Sequence, residues 1–349
     1  MFRNTTAFST IFAIFLLLNY YILKRTGAIW GYPAGASFYI IFGLCCFSYL
    51  ATCTMERLFT GQVSALLHTI SGMWLGVGLV WLSCLLVYDA VNLMIGVNPA
   101  GIRWLLLFTA IGITIYSTIN ASKLNIKKIK INAPENLKVV QVSDIHIGSV
   151  SINHLKRIVS NINSAKPDMV LITGDLVDSR QRLDDQTIDL LNQVEAETFM
   201  VSGNHENFIG YDKVIEILEK TKIKVLRNES VYCKGVQLIG IDDSHDDYQV
   251  TNQLAKIPVD NSAFTILMYH RPQGLEAAAN AGVDLMLSGH THNGQIVPFN
   301  YMVRLKYDKL KGLFQKDKCK LYVTTGTGTW GPKMRLGSQN EIVVFESVR

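Results

Sequence analysis

Met169-Val-Leu-Ile-Thr-Gly-Asp-Leu-Val-Asp178 is the stretch that decides the fold of this chain. It opens with an uninterrupted apolar run, which is typical of a buried strand, and the run ends at Thr-Gly. Gly174 allows the backbone to turn sharply, so Asp175 is expected at the end of the strand. A carboxylate has two oxygens and can bridge two cations, and we assign that role to Asp175.

Four further strand-like runs also end in Asp, Asn or His residues. Asp144-Ile-His146 follows the first run and His290-Thr-His292 follows the last, while Asn204 and His270 follow the runs between them. Because strand side chains alternate with a period of two, each Asp-x-His or His-x-His pair can face one way while the extended geometry persists. We therefore expect five strand ends to meet at one site. The runs are 137–142, 169–172, 199–201, 265–269 and 285–287.

Charge is unevenly distributed along the 349 residues, a length sufficient for two average domains. Only seven Asp, Glu, Lys or Arg residues precede residue 123. This part contains four uncharged apolar segments that approach or exceed the ~20 residues needed to cross a bilayer core. A cleaved signal peptide is the alternative for the first, but its length and the following segments favour a retained helix. We predict a transmembrane anchor of about four helices over residues 1–122, at 7–23, 36–54, 64–88 and 104–120.

Lys and Arg residues in the short flanks of these segments balance on the two sides of the membrane. Lys127, Lys128 and Lys130 favour a cytoplasmic C-terminal domain, although they are expected to begin a folded strand. The six cysteines show no paired spacing and do not decide the side. We predict a multi-pass protein of the cell membrane, with its C-terminal domain favoured on the cytoplasmic side by these three lysines.

From residue 123 to residue 349, strand-like runs alternate with helical patterns, which predicts an α/β domain. The final part, 299–345, has the pattern of antiparallel strands and loops instead. Strands interleaved with helices suggest a layered α/β sandwich with its site at the strand ends. The helical patterns lie at 153–164, 186–194, 212–220 and 273–281.

A lone buried histidine is more often structural than a metal ligand. Here the recurrence of five turn-embedded polar groups at strand ends is what predicts a metal site. Carboxylate, imidazole and amide groups together favour Mn, Fe or Zn over Mg, without choosing among the three.

These motifs resemble the complete signature of the calcineurin-like metallophosphoesterases over roughly residues 136–347. Two C-terminal motifs, at 326–332 and 335–337, are similar to a bacterial subgroup with membrane-attached or exported members. The resemblance implies a two-sheet α/β/β/α sandwich. The motifs that carry it are Asp144-x-His146, Gly174-Asp175-x-x-Asp178, Gly203-Asn204-His205-Glu206, His270 and Gly289-His290-x-His292.

The resemblance also implies two divalent cations with a bridging hydroxide that attacks phosphorus. His205 would contact the phosphate or protonate the leaving oxygen. Asp178 and Glu206 would orient imidazoles as outer carboxylates. One cation would bind Asp144, His146, Asp175 and His292, and the other would bind Asp175, Asn204, His270 and His290.

We expect a membrane-anchored, metal-dependent hydrolase of phosphoric esters, acting on a phosphodiester or pyrophosphate that could be linked to a lipid. A nuclease or nucleotide phosphodiesterase is the alternative enzyme. The 28 Lys and Arg and 26 Asp and Glu residues from residue 123 onward form no extended basic stripe, which argues against nucleic acid. A non-catalytic scaffold or sensor should have lost ligands or His205. The expected partners are the lipid bilayer and a phosphorylated small molecule or lipid, and no protein partner is predicted.

Arg304–Lys320 is rich in Lys and Arg, with Leu310, Leu313 and Phe314 interleaved. A solvated hairpin is the simpler explanation. However, anionic lipid attracts each nearby Lys or Arg by roughly 1 kcal/mol, so the segment is also a candidate membrane contact.

Overall fold

Four long helices form the N-terminal part of the chain in the computed structural model, which describes residues 5–58, 61–179 and 182–348. Each contains a stretch of 19 to 33 residues that is apolar and long enough to cross a membrane. In three of them only 11–17% of the apolar stretch is buried inside the protein, so most side chains face outward. The predicted helices are confirmed. They are α1 (Thr5–Trp30), α2 (Ala36–Leu58), α3 (Gln62–Ile95) and α4 (Pro99–Ser122).

Polar contacts join α1 to α3. Arg25 lies 2.5 Å from Asp89, which also accepts a hydrogen bond of 2.5 Å from Tyr21. Trp74 donates its indole N–H to Asn19 at 3.0 Å. Apolar side chains gain little by leaving lipid for a helix interface, so such polar pairs and close packing hold membrane helices together.

The chain divides into two units, Met1–Ile119 with Gly331–Met334 and Asn120–Trp330 with Arg335–Arg349. The predicted domain boundary between residues 122 and 123 stays a prediction, and its outer limits at residues 1–4 and 349 lie outside the described residues.

The second unit contains two six-stranded sheets. The first sheet has the order β1 (Leu124–Ile131), β12 (Asn340–Ser347), β2 (Lys138–Val142), β3 (Met169–Thr173), β4 (Glu197–Val201) and β5 (Ile223–Val225). Strands β2 to β5 are parallel, whereas β12 runs parallel to β1 and antiparallel to β2. The second sheet has the order β10 (Gly312–Lys316), β11 (Cys319–Val323), β9 (Leu285–Ser288), β8 (Phe264–Tyr269), β7 (Val236–Ile241) and β6 (Glu229–Cys233).

Strand β3 is buried on both faces, as its apolar run predicts. Val170 and Ile172 point into the core beneath the helices, whereas Met169 and Leu171 point into the core between the sheets. Full burial of an apolar side chain contributes roughly 1.5–3 kcal/mol, so one strand helps to hold both layers.

Helices cover the outer face of each sheet, which confirms the predicted two-sheet α/β/β/α fold. Ile158, Leu191 and Val214 pack on the first sheet, and Val250 and Ala278 pack on the second. The helices are α5 (Ile152–Ala165), α6 (Asp185–Leu191), α7 (Asn204–Ile209), α8 (Tyr211–Leu218), α9 (Gln249–Leu254), α10 (Leu275–Ala281) and α11 (Phe299–Arg304).

The C-terminal part matches its prediction as antiparallel strands and loops only in part. Strands β10 and β11 form an antiparallel hairpin and β12 pairs antiparallel with β2, whereas β11 runs parallel to β9. Helix α11 precedes the hairpin, and β12 leaves it to join the first sheet. Long-range pairing decided this arrangement, which the local apolar pattern does not encode.

Candidate metal centre

The candidate ligands lie beyond the carboxyl ends of strands from both sheets. The first sheet supplies residues after β2, β3 and β4, and the second supplies residues after β8 and β9. The structure brings all of them together, and most are buried. They are Asp144, His146, Asp175, Asn204, His270, His290 and His292.

The backbone at five of these residues is left-handed rather than extended. The φ angles are 52° at Asp144, 56° at His146, 50° at Asp175, 72° at His290 and 48° at His292. Residues other than glycine rarely adopt this region. The expected strand alternation within the two paired motifs is therefore wrong, and tight turns direct these side chains. Such strained backbone persists where the surrounding structure fixes it, which is common at functional sites.

Asp144, His146 and His292 form the first cluster, with one ligand atom of each within 4.8 Å of the others. His292 Nε2 lies 3.3 Å from Asp144 Oδ1 and 3.0 Å from His146 Nε2. The cluster contains three of the four ligands that the family resemblance implies for one cation.

Asp175, His270 and His290 form the second cluster, again with ligand atoms within 4.8 Å of one another. His270 Nε2 lies 3.2 Å from Asp175 Oδ2 and 3.1 Å from His290 Nδ1. The buried Oδ1 of Asn204, a candidate ligand for the same cation, accepts no hydrogen bond from the described residues. An unsatisfied buried acceptor costs about 1–3 kcal/mol, and a cation at this atom would remove that cost. The donor set therefore fits a metal ion.

Buried carboxylates set the charge of the centre. Burial opposes their ionisation, yet His292 holds the pKa of Asp144 below its usual value and His270 does the same for Asp175. Conversely, although burial disfavours its charge, His270 has a pKa raised to about 10, chiefly by Asp175. The ionised carboxylates are therefore stabilised by positive charge beside them. A divalent cation would supply it in place of protons, because imidazole binds metal only when it is neutral.

His205 lies beside both clusters and outside the ligand set. Its Nδ1 is 2.7 Å from Asp178 Oδ1, and its Nε2 is 3.9 Å from Asp175 Oδ2. Desolvation lowers the pKa of His205, but Asp175 and Asp178 outweigh it and raise the value to about 9. The ring is therefore protonated at neutral pH and can donate a proton.

Asp178 orients two imidazoles through one oxygen. Its Oδ1 accepts from His146 Nδ1 at 2.6 Å as well as from His205. With the proton of His146 on Nδ1, the neutral ring presents the lone pair of Nε2 to the first cluster.

Glu206 holds backbone rather than an imidazole, so the expectation for this side chain is wrong. Its buried carboxylate accepts hydrogen bonds from the N–H groups of Asp175, Val177 and Gly203 at 2.7–3.0 Å. These bonds fix the turn after β3 to the start of α7. Glu206 thereby positions Asp175 and Asn204 relative to each other.

Tyr307 contacts the second cluster. The sequence did not identify it as a site residue, because its segment, Arg304–Lys320, was noted only for its charge. Its hydroxyl lies 2.9 Å from His290 Nε2 and bonds with Arg271, which pairs with Asp243 at 2.6 and 2.9 Å. A guanidinium only donates, so the Tyr307 oxygen accepts from Arg271, and the Tyr307 hydroxyl can either accept from His290 Nε2 or donate to it. Acceptance from the Nε2–H would leave the lone pair of His290 on Nδ1, the atom that faces His270.

Arg335 is fully buried against the first cluster. Its Nη1 donates to the carbonyl oxygen of His292 at 3.1 Å, and its Nη2 lies 3.1 Å from His292 Nδ1. Burial lowers the pKa of His292 to about 4, and the Arg335 charge acts in the same direction. The His292 ring is therefore uncharged at neutral pH. The sequence flagged Arg335 only as part of a motif.

Comparisons with known proteins cover the same part of the chain. The family described as Calcineurin-like phosphoesterase matches residues 137–294. An uncharacterized metallophosphoesterase of Aquifex aeolicus is 32% identical over 258 residues, which cover 68% of this chain and 97% of that protein. One of Campylobacter jejuni is 35% identical over 245 residues, or 66% of each protein.

A protein of Danio rerio described as a transmembrane protein with metallophosphoesterase domain is 30% identical over 266 residues. The match covers 68% of this chain and 60% of that protein. Among the bacterial relatives, those of Campylobacter jejuni and Helicobacter pylori are matched over 59–66% of their own length.

Metal analysis tests the two clusters. Metal-loaded protein should contain about two divalent ions per chain. Asp175→Asn should contain fewer, because Asp175 is the carboxylate that both ions would share. Mass spectrometry of the metal after removal of free ions measures the ratio. Asp212→Asn, whose side chain is 93% exposed, is the matched control and should retain the wild-type content. A wild-type ratio of one or none would contradict a binuclear centre.

Tyr307→Phe should weaken the binding of one of the two ions by roughly 10–100-fold, because it removes the hydroxyl that bonds with His290 Nε2 and orients this ligand. Titration calorimetry of the metal-free protein measures both affinities. Tyr322→Phe, which loses a buried bond of 2.9 Å to Glu341, is the control and should leave both unchanged. Wild-type affinities in Tyr307→Phe would show that this hydroxyl does not orient the ligand.

Proposed function

Because the chain belongs to the calcineurin-like metallophosphoesterase family, we propose that it is a membrane-anchored hydrolase of phosphoric esters that uses two divalent cations. The observation that carries the proposal is the convergence of two Asp–His clusters beside His205. Phosphodiesters and pyrophosphates, including lipid-linked ones, are the proposed substrates.

Asp175 would be the shared ligand, between one cation held by the first cluster and another held by the second cluster with Asn204. Divalent cations bound there lower the pKa of water and stabilise charge on phosphoryl oxygens. The carboxylate, imidazole and amide donors suit Mn, Fe or Zn. Asp178 and Tyr307 would keep the ligating nitrogens of His146 and His290 free of protons.

His205 would act on the leaving oxygen. Asp178 fixes the ring through Nδ1, so its other nitrogen, Nε2, is the atom able to donate outward. A positioned proton donor of this kind contributes typically ~10²–10⁴-fold to a rate. His205 would also contact the phosphate when its ring carries a proton, a charge that Asp175 and Asp178 favour in the metal-free protein.

A nuclease or nucleotide phosphodiesterase is the second candidate. It uses the same metal chemistry, but the domain from residue 123 onward has 28 Lys and Arg against 26 Asp and Glu, and this near balance favours a polyanion less. A non-catalytic scaffold or sensor is less well supported, since every expected ligand and His205 are present in the sequence.

Membrane anchoring is supported by the four apolar helices. The Danio rerio relative is described as a transmembrane protein, which agrees with membrane anchoring. The cytoplasmic side stays a prediction, since it rests on Lys127, Lys128 and Lys130, which the structure places in strand β1.

The basic segment Arg304–Lys320 is proposed to face the bilayer. Its second half is the β10–β11 hairpin, whereas Lys306, Lys309 and Lys311 lie in the loop before it. Tyr307, in the same loop, contacts His290. Contact of this loop with anionic lipid would therefore place the candidate centre close to lipid headgroups.

Mn-loaded protein should hydrolyse members of a panel of phosphodiesters and lipid pyrophosphates, and His205→Ala should lose most of this turnover. Because His205 is not assigned as a ligand, the variant should keep both metals and the fold. Rates measured together with metal content separate the two roles. Activity within about twofold of wild type would make His205 structural, since an acid contributes far more.

Changing Lys306, Lys309 and Lys311 together to Glu should reduce hydrolysis of a lipid phosphodiester in anionic liposomes, because the charge that attracts the bilayer is reversed. Hydrolysis of soluble bis-p-nitrophenyl phosphate should barely change. The control changes Lys213, Lys220 and Lys222, three exposed lysines, to Glu and should affect neither rate. An equal fall of both rates in the first variant, or a fall of neither, would contradict the membrane-facing role.

A further inference from the structure

Two exposed aromatic side chains lie beside His205. The ring centroid of Phe208 is 5.8 Å from that of His205, and the centroid of Trp330 is 6.1 Å from it. Phe208 is 53% exposed and Trp330 is 40% exposed. Large apolar surface left open next to a buried polar site commonly marks ligand binding. We call Phe208 and Trp330 the aromatic rim.

Trp330 is held rigidly through its backbone. Gln295 donates from Nε2 to the Trp330 carbonyl at 2.8 Å and accepts from the Trp330 N–H at 3.0 Å. Gln295 is itself buried, with a left-handed φ of 56°, and its carbonyl accepts from Leu336 N–H at 3.0 Å. The buried Gln295 therefore fixes the backbone of the exposed Trp330. A fixed backbone at Trp330 reduces the entropy that this segment loses when a ligand binds.

Phe208 is held relative to His205 by helix α7. Residues three apart on a helix lie on the same face, which explains why the two rings meet. The helix begins at the candidate ligand Asn204, and Glu206 ties its start to the turn of Asp175. One short element thus carries a metal ligand, the candidate acid and half of the aromatic rim.

The segment that follows Gln295 is rich in exposed apolar side chains. Val297 N–H donates to Leu336 O at 2.9 Å, so it belongs to the same turn that holds Gln295. The exposed side chains of Phe299, Met302 and Leu305 come next along the chain, with the exposed Arg304 among them. Exposed apolar side chains in the segment bonded to Trp330 favour a long apolar group over a compact polar one.

We propose that the aromatic rim binds the hydrocarbon chain attached to the leaving side of a lipid-linked phosphoester. This inference rests on the proposed hydrolase function and specifies its substrate class. Two rings beside His205 would exclude water around the first methylene groups while the phosphoryl group occupies the centre. Full burial of one methylene strengthens binding by about fourfold, and partial burial between two rings by about twofold.

Binding of methyl-, butyl- and hexylphosphonate to metal-loaded, full-length protein tests this assignment by calorimetry. In the wild type, affinity should rise by about twofold per methylene. The dependence on chain length should flatten in Trp330→Ala and in Phe208→Ala, which alter different elements, while the metal content stays at the wild-type value. Tyr232→Ala removes an exposed ring on the edge strand β6 and should keep the wild-type dependence.

Equal affinity for the three phosphonates in the wild type, or an unchanged dependence in both rim variants, would overturn the assignment. Tighter binding of an adenosine phosphonate than of hexylphosphonate would also overturn it, because the two rings would then bind a nucleobase. Failure of the proposed function has a different result. The wild type would then hydrolyse no phosphoester of the panel, even if its affinity still followed chain length.

Discussion

The contact of His270 with the end of strand β3 joins the two sheets at their common edge. His270 Nδ1 lies 2.8 Å from the carbonyl oxygen of Thr173, and Nε2 lies 3.2 Å from Asp175. A Cβ atom on Gly174 would approach His270 Nδ1 to 2.6 Å, so only glycine permits this distance. The histidine comes from the second sheet and its partners come from the first. The second cluster, which joins Asp175 to His270 and His290, depends on this approach.

The sequence predicts site residues correctly where they directly follow a strand. The buried run before Asp175 and the glycines beside the ligands are visible in order along the chain, and they predicted the convergence of side chains at strand ends. The family resemblance implied the two-sheet fold. Gly203 illustrates the limit of that reasoning. A Cβ atom there would lie 2.1 Å from Asp175 Oδ1, a contact between turns that no pattern along the chain displays.

The features that sequence reasoning missed are tertiary. Glu206 stands next to His205, which suggested an imidazole partner, but its carboxylate reaches backbone amides of another turn. Tyr307 and Arg335 lie 17 and 43 residues beyond the histidines that they contact. Burial and long-range pairing decide such contacts, and the left-handed turns of the ligands are stable only because of them.

Strand β12 lies between β1 and β2 in the first sheet, although it is the last strand of the chain. During synthesis, β1 and β2 are made first. The ribosome then adds some 200 residues before it reaches β12, the strand that lies between them. The edge of β2 that will pair with β12 stays unpaired during that time. Helices α1 to α4 have already been made. Unpaired edges recruit other strands. Interrupting translation late would therefore leave a nascent chain with an open sheet edge, a substrate for chaperones or proteases.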